Sequence, residues 1–75
     1  MGNKSMAEIV LERHIERRKR RCESEMDMLA LIENMPSNEY VEQLRLKHTE
    51  NLAKQSAALA QLQKEMLERF GKVIG

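Results

Sequence analysis

The sequence predicts an all-α protein, an antiparallel hairpin of two helices packed in a coiled-coil-like manner. Three observations predict it. The chain of 75 residues is rich in Ala, Glu, Lys, Leu, Arg and Gln, with 33% charged and only 3% aromatic side chains, a helix-forming composition. Apolar residues recur at helical spacing through its second half. The one proline, Pro36, interrupts the chain near its middle. Residues 1–75 then form a single domain: helix 1 over about 6–34, a turn at 35–37, helix 2 over about 38–70, and a short tail at 71–75. At 1.5 Å per residue the helices are about 43 and 50 Å long.

Helix 1 opens after Asn3 or Ser5, either of which suits an N-cap. The opening "MGNKSM" departs from the N-myristoylation pattern, because Met6 stands where Ser or Thr is needed. Met6, Ile9, Val10, Leu11 and Ile15 make the start of the helix apolar. Met26, Met28, Leu29, Leu31 and Ile32 do the same at its end. Between Glu16 and Glu25 only Cys22 is apolar. Ile15, Cys22 and Leu29 lie seven apart and define one face around a polar waist.

The break is "ENMPSNEY". Pro36 disfavours helical backbone at Met35 and cannot continue the helical hydrogen bonding. Asn34 suits a left-handed C-cap. Ser37 or Asn38 suits the next N-cap, with Glu39 favourable beside the positive helix end. So short a connection joins antiparallel neighbours.

Helix 2 carries the stripe Val41, Leu44, His48, Leu52, Gln55, Leu59, Leu62, Met66, Phe70, Val73, with a mean step of about 3.6. His48 and Gln55 are its polar exceptions. Gly71 marks the stop. A second seam lies beside the first: Leu46, Ala53, Ala60, Leu67 and Ile74 recur every seven residues, with Ala57 among them. Two readings stand open. The alanines either fill the hairpin core with good helix formers, or form a second contact face for another chain. The remaining side holds Gln43, Lys47, Glu50, Lys54, Gln61, Glu65, Glu68 and Lys72, where Glu50–Lys54 and Glu68–Lys72 have favourable i, i+4 spacing.

So short a chain buries a thin core and ordinarily needs disulfides, a metal or a partner. Cys22 is the only cysteine, which excludes an internal disulfide and suits a reducing cytoplasm. His14, His48 and Cys22 have no metal-finger spacing. A partner chain, self or heterologous, is therefore the expected source of stability, and the chain is expected to be an oligomer. No apolar run approaches a membrane span, and the N-terminus has no apolar leader core.

The run Arg17 to Arg21 poses the question of polyanion binding. Successive helical residues point all round the axis, so the run makes no flat face by itself. Arg13, Arg17, Arg20 and Arg21 do share a side and are the possible polyanion contact. Against them stand Glu12, Glu16, Glu23 and Glu25, with Glu16–Arg20, Lys19–Glu23 and Arg21–Glu25 at pairing distance along a helix. The net charge of the chain is only +1, and no aromatics interleave for stacking on bases. A solvated face is taken first, nucleic acid second, an acidic protein partner third.

No catalytic constellation, cofactor site or metal site emerges. Only Gly2, Gly71 and Gly75 are present, so no phosphate loop exists. Cys22 and His14 are two helical turns apart, too far for a thiolate–imidazole pair. Met26, Met28, Met35 and Met66 are read either as gap fillers or as an adaptable surface.

The segment "MPSNEYVEQLRLKHTENLAKQSAALAQL", residues 35–62, resembles the small two-helix co-chaperones of type III secretion needle subunits. Tyr40 opens the second helix as in that family, and Ala53, Ala57, Leu59 and Ala60 follow as its Ala- and Leu-rich stripe. The resemblance implies a cytoplasmic hairpin that pairs with a helical-repeat chaperone and holds a needle subunit unpolymerised. The basic waist of helix 1 and the C-terminal "LERFGKVIG" depart from the pattern. The architecture equally fits a hairpin that dimerises into a four-helix RNA-binding bundle. The expected function is a cytoplasmic protein-binding chaperone or adaptor, not an enzyme. Its partner-binding residues are Leu46, Ala53, Ala57, Ala60, Leu67 and Ile74. The alternative is a dimeric nucleic-acid-binding or regulatory protein that uses helix 1.

Overall fold

The computed structural model describes residues 4–72, which form two helices, α1 (Met6–Glu33) and α2 (Glu39–Phe70). They pack side by side in a rod with principal extents of 56 × 18 × 16 Å. The all-α hairpin expected from the sequence is the fold. Each helix is one residue shorter at the turn than the sequence reading placed it.

The caps explain the boundaries. The Ser5 hydroxyl accepts from the Glu8 amide at 3.2 Å, and Ser5 has the extended backbone of an N-cap. The Asn38 side chain accepts from the Val41 amide at 2.9 Å, and Glu39 and Glu42 stand in the first turn of α2. Gly71 closes α2 with φ 65° and donates to the Leu67 carbonyl at 2.9 Å. A Cβ added at Gly71 would touch nothing within 4 Å. The need for glycine there is conformational, not steric crowding.

The expected left-handed cap at Asn34 does not form: its φ is −88° and ψ is −1°. The last turn tightens instead. Asn34 and Met35 donate to the carbonyls of Leu31 and Ile32 at 3.2 and 3.0 Å. The Asn34 amide side chain also donates to the Ala30 carbonyl at 3.3 Å. The final carbonyls are thereby satisfied without a reversal of hand.

The inner stripe of α2 meets the Ile15–Cys22–Leu29 face of α1, but the interface is not uniformly apolar. At the open end Leu11, Ile15 and Met66 are buried, with Leu59, Leu62 and Phe70 packed against them. At the turn end Ile32 and Val41 are buried, and Leu29 and Leu44 are half-buried. Between these two plugs the helices meet through polar side chains. Arg18 Nη1 donates to Gln55 Oε1 at 2.8 Å, and His48 Nδ1 lies 2.6 Å from Glu25 Oε2. Cys22 Sγ sits 3.9 Å from Ser56 Oγ. From Arg18 to Glu25, and from Gln55 back to His48, is the same distance along each helix. Both pairs therefore belong to one antiparallel register.

The open end is tied by charge. Glu8 is the one buried charged residue among those described, and its carboxylate accepts from Lys72 Nζ at 2.8 Å. The left-handed turn at Gly71 leads directly into Lys72. Glu8 sits at the positive end of α1 and Lys72 at the negative end of α2, so both helix dipoles favour the pair. Lys4 reaches Glu12 at 2.7 Å on the exposed side, and that hydrogen bond holds the ammonium pKa above its ordinary value.

Removing one member of a polar pair at this interface strands the other. His48→Leu should therefore lower stability by about 1–3 kcal/mol, because Glu25 then faces an apolar neighbour. Adding Glu25→Leu should recover most of that loss. Thermal and urea denaturation of the two variants beside the parent checks this; equal losses in the single and double variants would contradict it.

Candidate functional site

Partner contact needs side chains that the hairpin does not use internally. On α2 they form a stripe on the side turned away from α1. Leu46 is 67% and Leu67 50% exposed, and Ala53, Ala57 and Ala60 between them are all exposed. Of the two readings of the alanines, core filling is the one the structure overturns. The buried work is done by Val41 and Met66, with Leu44, Leu52, Leu59 and Leu62 half-buried beside them. Ile74, the last member of the expected seam, lies outside the described residues, as does Val73.

Neither expected ion pair on the polar side of α2 forms: Glu50 and Lys54 do not meet, and Glu68 faces Lys64 at 4.0 Å while Lys72 crosses to Glu8 at 2.8 Å. Glu65–Arg69 at 3.2 Å and Glu42–Arg45 at 3.3 Å are the other exposed pairs. The Arg69 guanidinium also lies 5.3 Å from the centre of the Phe70 ring, which covers that edge of the open end.

On α1 the basic run divides. Arg13, Arg17, Arg20 and Arg21 lie together on the outer side. None of these four side chains forms a hydrogen bond or ion pair with another described residue. Arg21 does not reach Glu25, because Glu25 turns inward to His48. Arg18 instead points across the hairpin to Gln55. Ile9, Glu12, Arg13, Glu16, Arg17 and Arg20 line a shallow open groove along this side, three arginines against two glutamates. Its net sign is positive.

Sequence periodicity alone did not place Arg18 or Glu25 on the seam: Arg18 stood within the basic run, and Glu25 was set beside Arg21. The signal was present. Ile15, Arg18, Cys22, Glu25 and Leu29 follow one another at steps of three, four, three and four, the spacing of a helix–helix seam. His48 and Gln55 are the polar exceptions on the facing stripe, and they are the residues that Glu25 and Arg18 meet.

The methionines split between the two roles. Met66 is fully buried, whereas Met6, Met26, Met28 and Met35 are 74%, 53%, 40% and 42% exposed. Cys22 is buried against Ser56, and His14 is exposed. Among the described residues no three His, Cys, Asp or Glu side chains come together as a metal site, and no helix is long and apolar enough to cross a membrane.

The split in the basic run has a measurable consequence. Arg18→Ala should lower stability by about 1–3 kcal/mol through loss of a charged hydrogen bond and its packed stem. Arg17→Ala, on the outer side, should change it by less than about 0.5 kcal/mol. Urea titrations followed by circular dichroism compare them, and equal effects would contradict the division. Comparison with family models, with curated proteins and with solved structures returns no match, so the site is read from its own geometry.

Proposed function

We propose that the chain is a cytoplasmic protein-binding subunit, a chaperone or adaptor, whose helical partner seats on the outer face of α2. One observation carries this reading: the stripe Leu46, Ala53, Ala57, Ala60, Leu67 is exposed and faces away from α1. Folding of the hairpin uses the inner stripe and makes no demand on the outer one. Alanine at three neighbouring positions lets a second helix axis approach to about 8 Å, the close end of helix packing. The leucines at either end supply apolar area that a partner would remove from water. A single buried thiol suits a reducing compartment. The resemblance to needle-subunit co-chaperones supports the same class, with a helical-repeat chaperone as partner and a needle subunit as the client held unpolymerised.

The alternative reading rests on a different observation, the four outer arginines of α1 without a partner among the described residues. Under it, a dimeric hairpin contacts the phosphates of a nucleic acid through Arg13, Arg17, Arg20 and Arg21. Each phosphate contact releases counterions, so affinity would fall steeply with salt.

Two experiments separate the readings. Ala57→Leu and Ala60→Leu should leave the helicity and melting of the hairpin unchanged at concentrations where it is monomeric, yet weaken partner capture about ten- to a hundredfold through overpacking of 1–3 kcal/mol. Capture that survives both substitutions would sink the proposal. Arg17→Glu with Arg20→Glu should leave capture nearly unchanged. Tight, salt-sensitive binding of duplex RNA or DNA by the parent, abolished by that pair, would favour the alternative.

A further inference from the structure

We infer that the outer face of α2 seats a second copy of this chain, antiparallel to the first and related to it by a two-fold axis beside Ala57. The inference rests on the reading of that face as a protein-contact surface and names an occupant for it when no other partner is bound.

The face is complementary to itself. A two-fold contact is isologous: if residue i meets residue j, then j meets i. Such a contact requires the surface to match its own reversal. Leu46 and Leu67 lie equally far on either side of the midpoint between Ser56 and Ala57, and Ala53 and Ala60 straddle the same midpoint. Reversal therefore sets leucine on leucine at both ends and alanine on alanine at the centre. A heterologous partner imposes no such symmetry. From Leu46 to Leu67 the stripe runs about 32 Å at 1.5 Å per residue, which is most of the length of α2.

Charge selects the same arrangement. Between the apolar positions, Glu50 and Lys64 continue the stripe at steps of three and four, and they straddle Ala57 itself. Antiparallel pairing about the Ser56–Ala57 midpoint sets Glu50 of one copy within one residue of Lys64 of the other, twice per dimer. Parallel pairing would instead set Glu50 against Glu50 and Lys64 against Lys64, which is repulsive. These groups are free to re-pair. Glu50 makes no ion pair with a described residue, and Lys64 has only an exposed contact to Glu68 at 4.0 Å. The outer side of α1 cannot play this role, because its reversal brings the Arg13–Arg21 cluster against itself. The product is a four-helix assembly with α2 of both copies at the centre, a route by which a chain with a thin core gains buried area.

Sedimentation equilibrium of the full chain should give a dimer that dissociates on dilution, with a melting temperature that rises with concentration. Glu50→Lys alone, or Lys64→Glu alone, should weaken the dimer at least about tenfold, and the double substitution should restore it. Cross-linking fixes the direction independently of those variants. In a Cys22→Ser background, Ala57→Cys should oxidise to a covalent dimer, because the two copies of this position meet near the axis. Ala53→Cys should not, because its two copies lie about 10 Å apart along the axis, beyond disulfide reach. A monomer at every concentration overturns the inference, and so does Ala53→Cys that cross-links as readily as Ala57→Cys. A monomer that still loses partner capture on Ala57→Leu sinks self-pairing and keeps the partner-binding reading. A dimer whose parent captures its partner as well as Ala57→Leu does keeps self-pairing and sinks that reading.

Discussion

The polar middle of the hairpin is the constraint on which the rest of the structure depends. Arg18–Gln55 and Glu25–His48 cross between helices that are otherwise joined by apolar plugs at either end. Apolar side chains are interchangeable partners, and two leucine-lined helices slide past one another by a heptad at small cost. Polar side chains on the seam are not interchangeable. A slide of seven residues sets Glu25 against Val41 in one direction, or Arg18 against Leu62 in the other, and each buries a charge without its partner. The pairs thus select one register more than they add to stability.

Register in turn sets what each helix shows to the outside. With α1 and α2 held in this alignment, Gly71 turns the chain beside the start of α1 and Lys72 closes on Glu8. The inner stripe of α2 is consumed by α1. The outer stripe, from Leu46 to Leu67, is left on the opposite side, and Arg13, Arg17, Arg20 and Arg21, which pair with no described residue, are left on the outer side of α1. The hairpin therefore has two chemically distinct faces pointing away from each other. One is a leucine and alanine stripe interrupted by Glu50 and Lys64, and the other carries arginines beside Glu12 and Glu16.

Much of this was legible in the sequence. Period-3.6 spacing, Pro36 and Gly71 located both helices to within a residue or two, because these signals act locally: a missing amide, a restricted φ, a stripe of one polarity. Asn34 was misread for a reason equally local. Its side chain can serve a left-handed cap, but i to i+3 bonds satisfied the same carbonyls first. The polar exceptions His48 and Gln55 were visible as exceptions, and the matching positions Arg18 and Glu25 were hidden inside a conspicuous charge run.

Which exception meets which, and which seam of α2 turns inward, were decided only by tertiary structure. Sequence periodicity finds two apolar stripes on α2 and cannot rank them, since a stripe carries no information about the helix across from it. Packing ranks them. The stripe with the larger side chains, Val41 to Phe70, fills the space against α1, and the alanine stripe is left to solvent. The Glu8–Lys72 tie is of the same kind. It joins residues at opposite ends of the chain, and no local pattern predicts it. Composition, caps and period by themselves determined that the chain is a helical hairpin. The register, the inward face and the face left to solvent came from how two particular sets of side chains fit together.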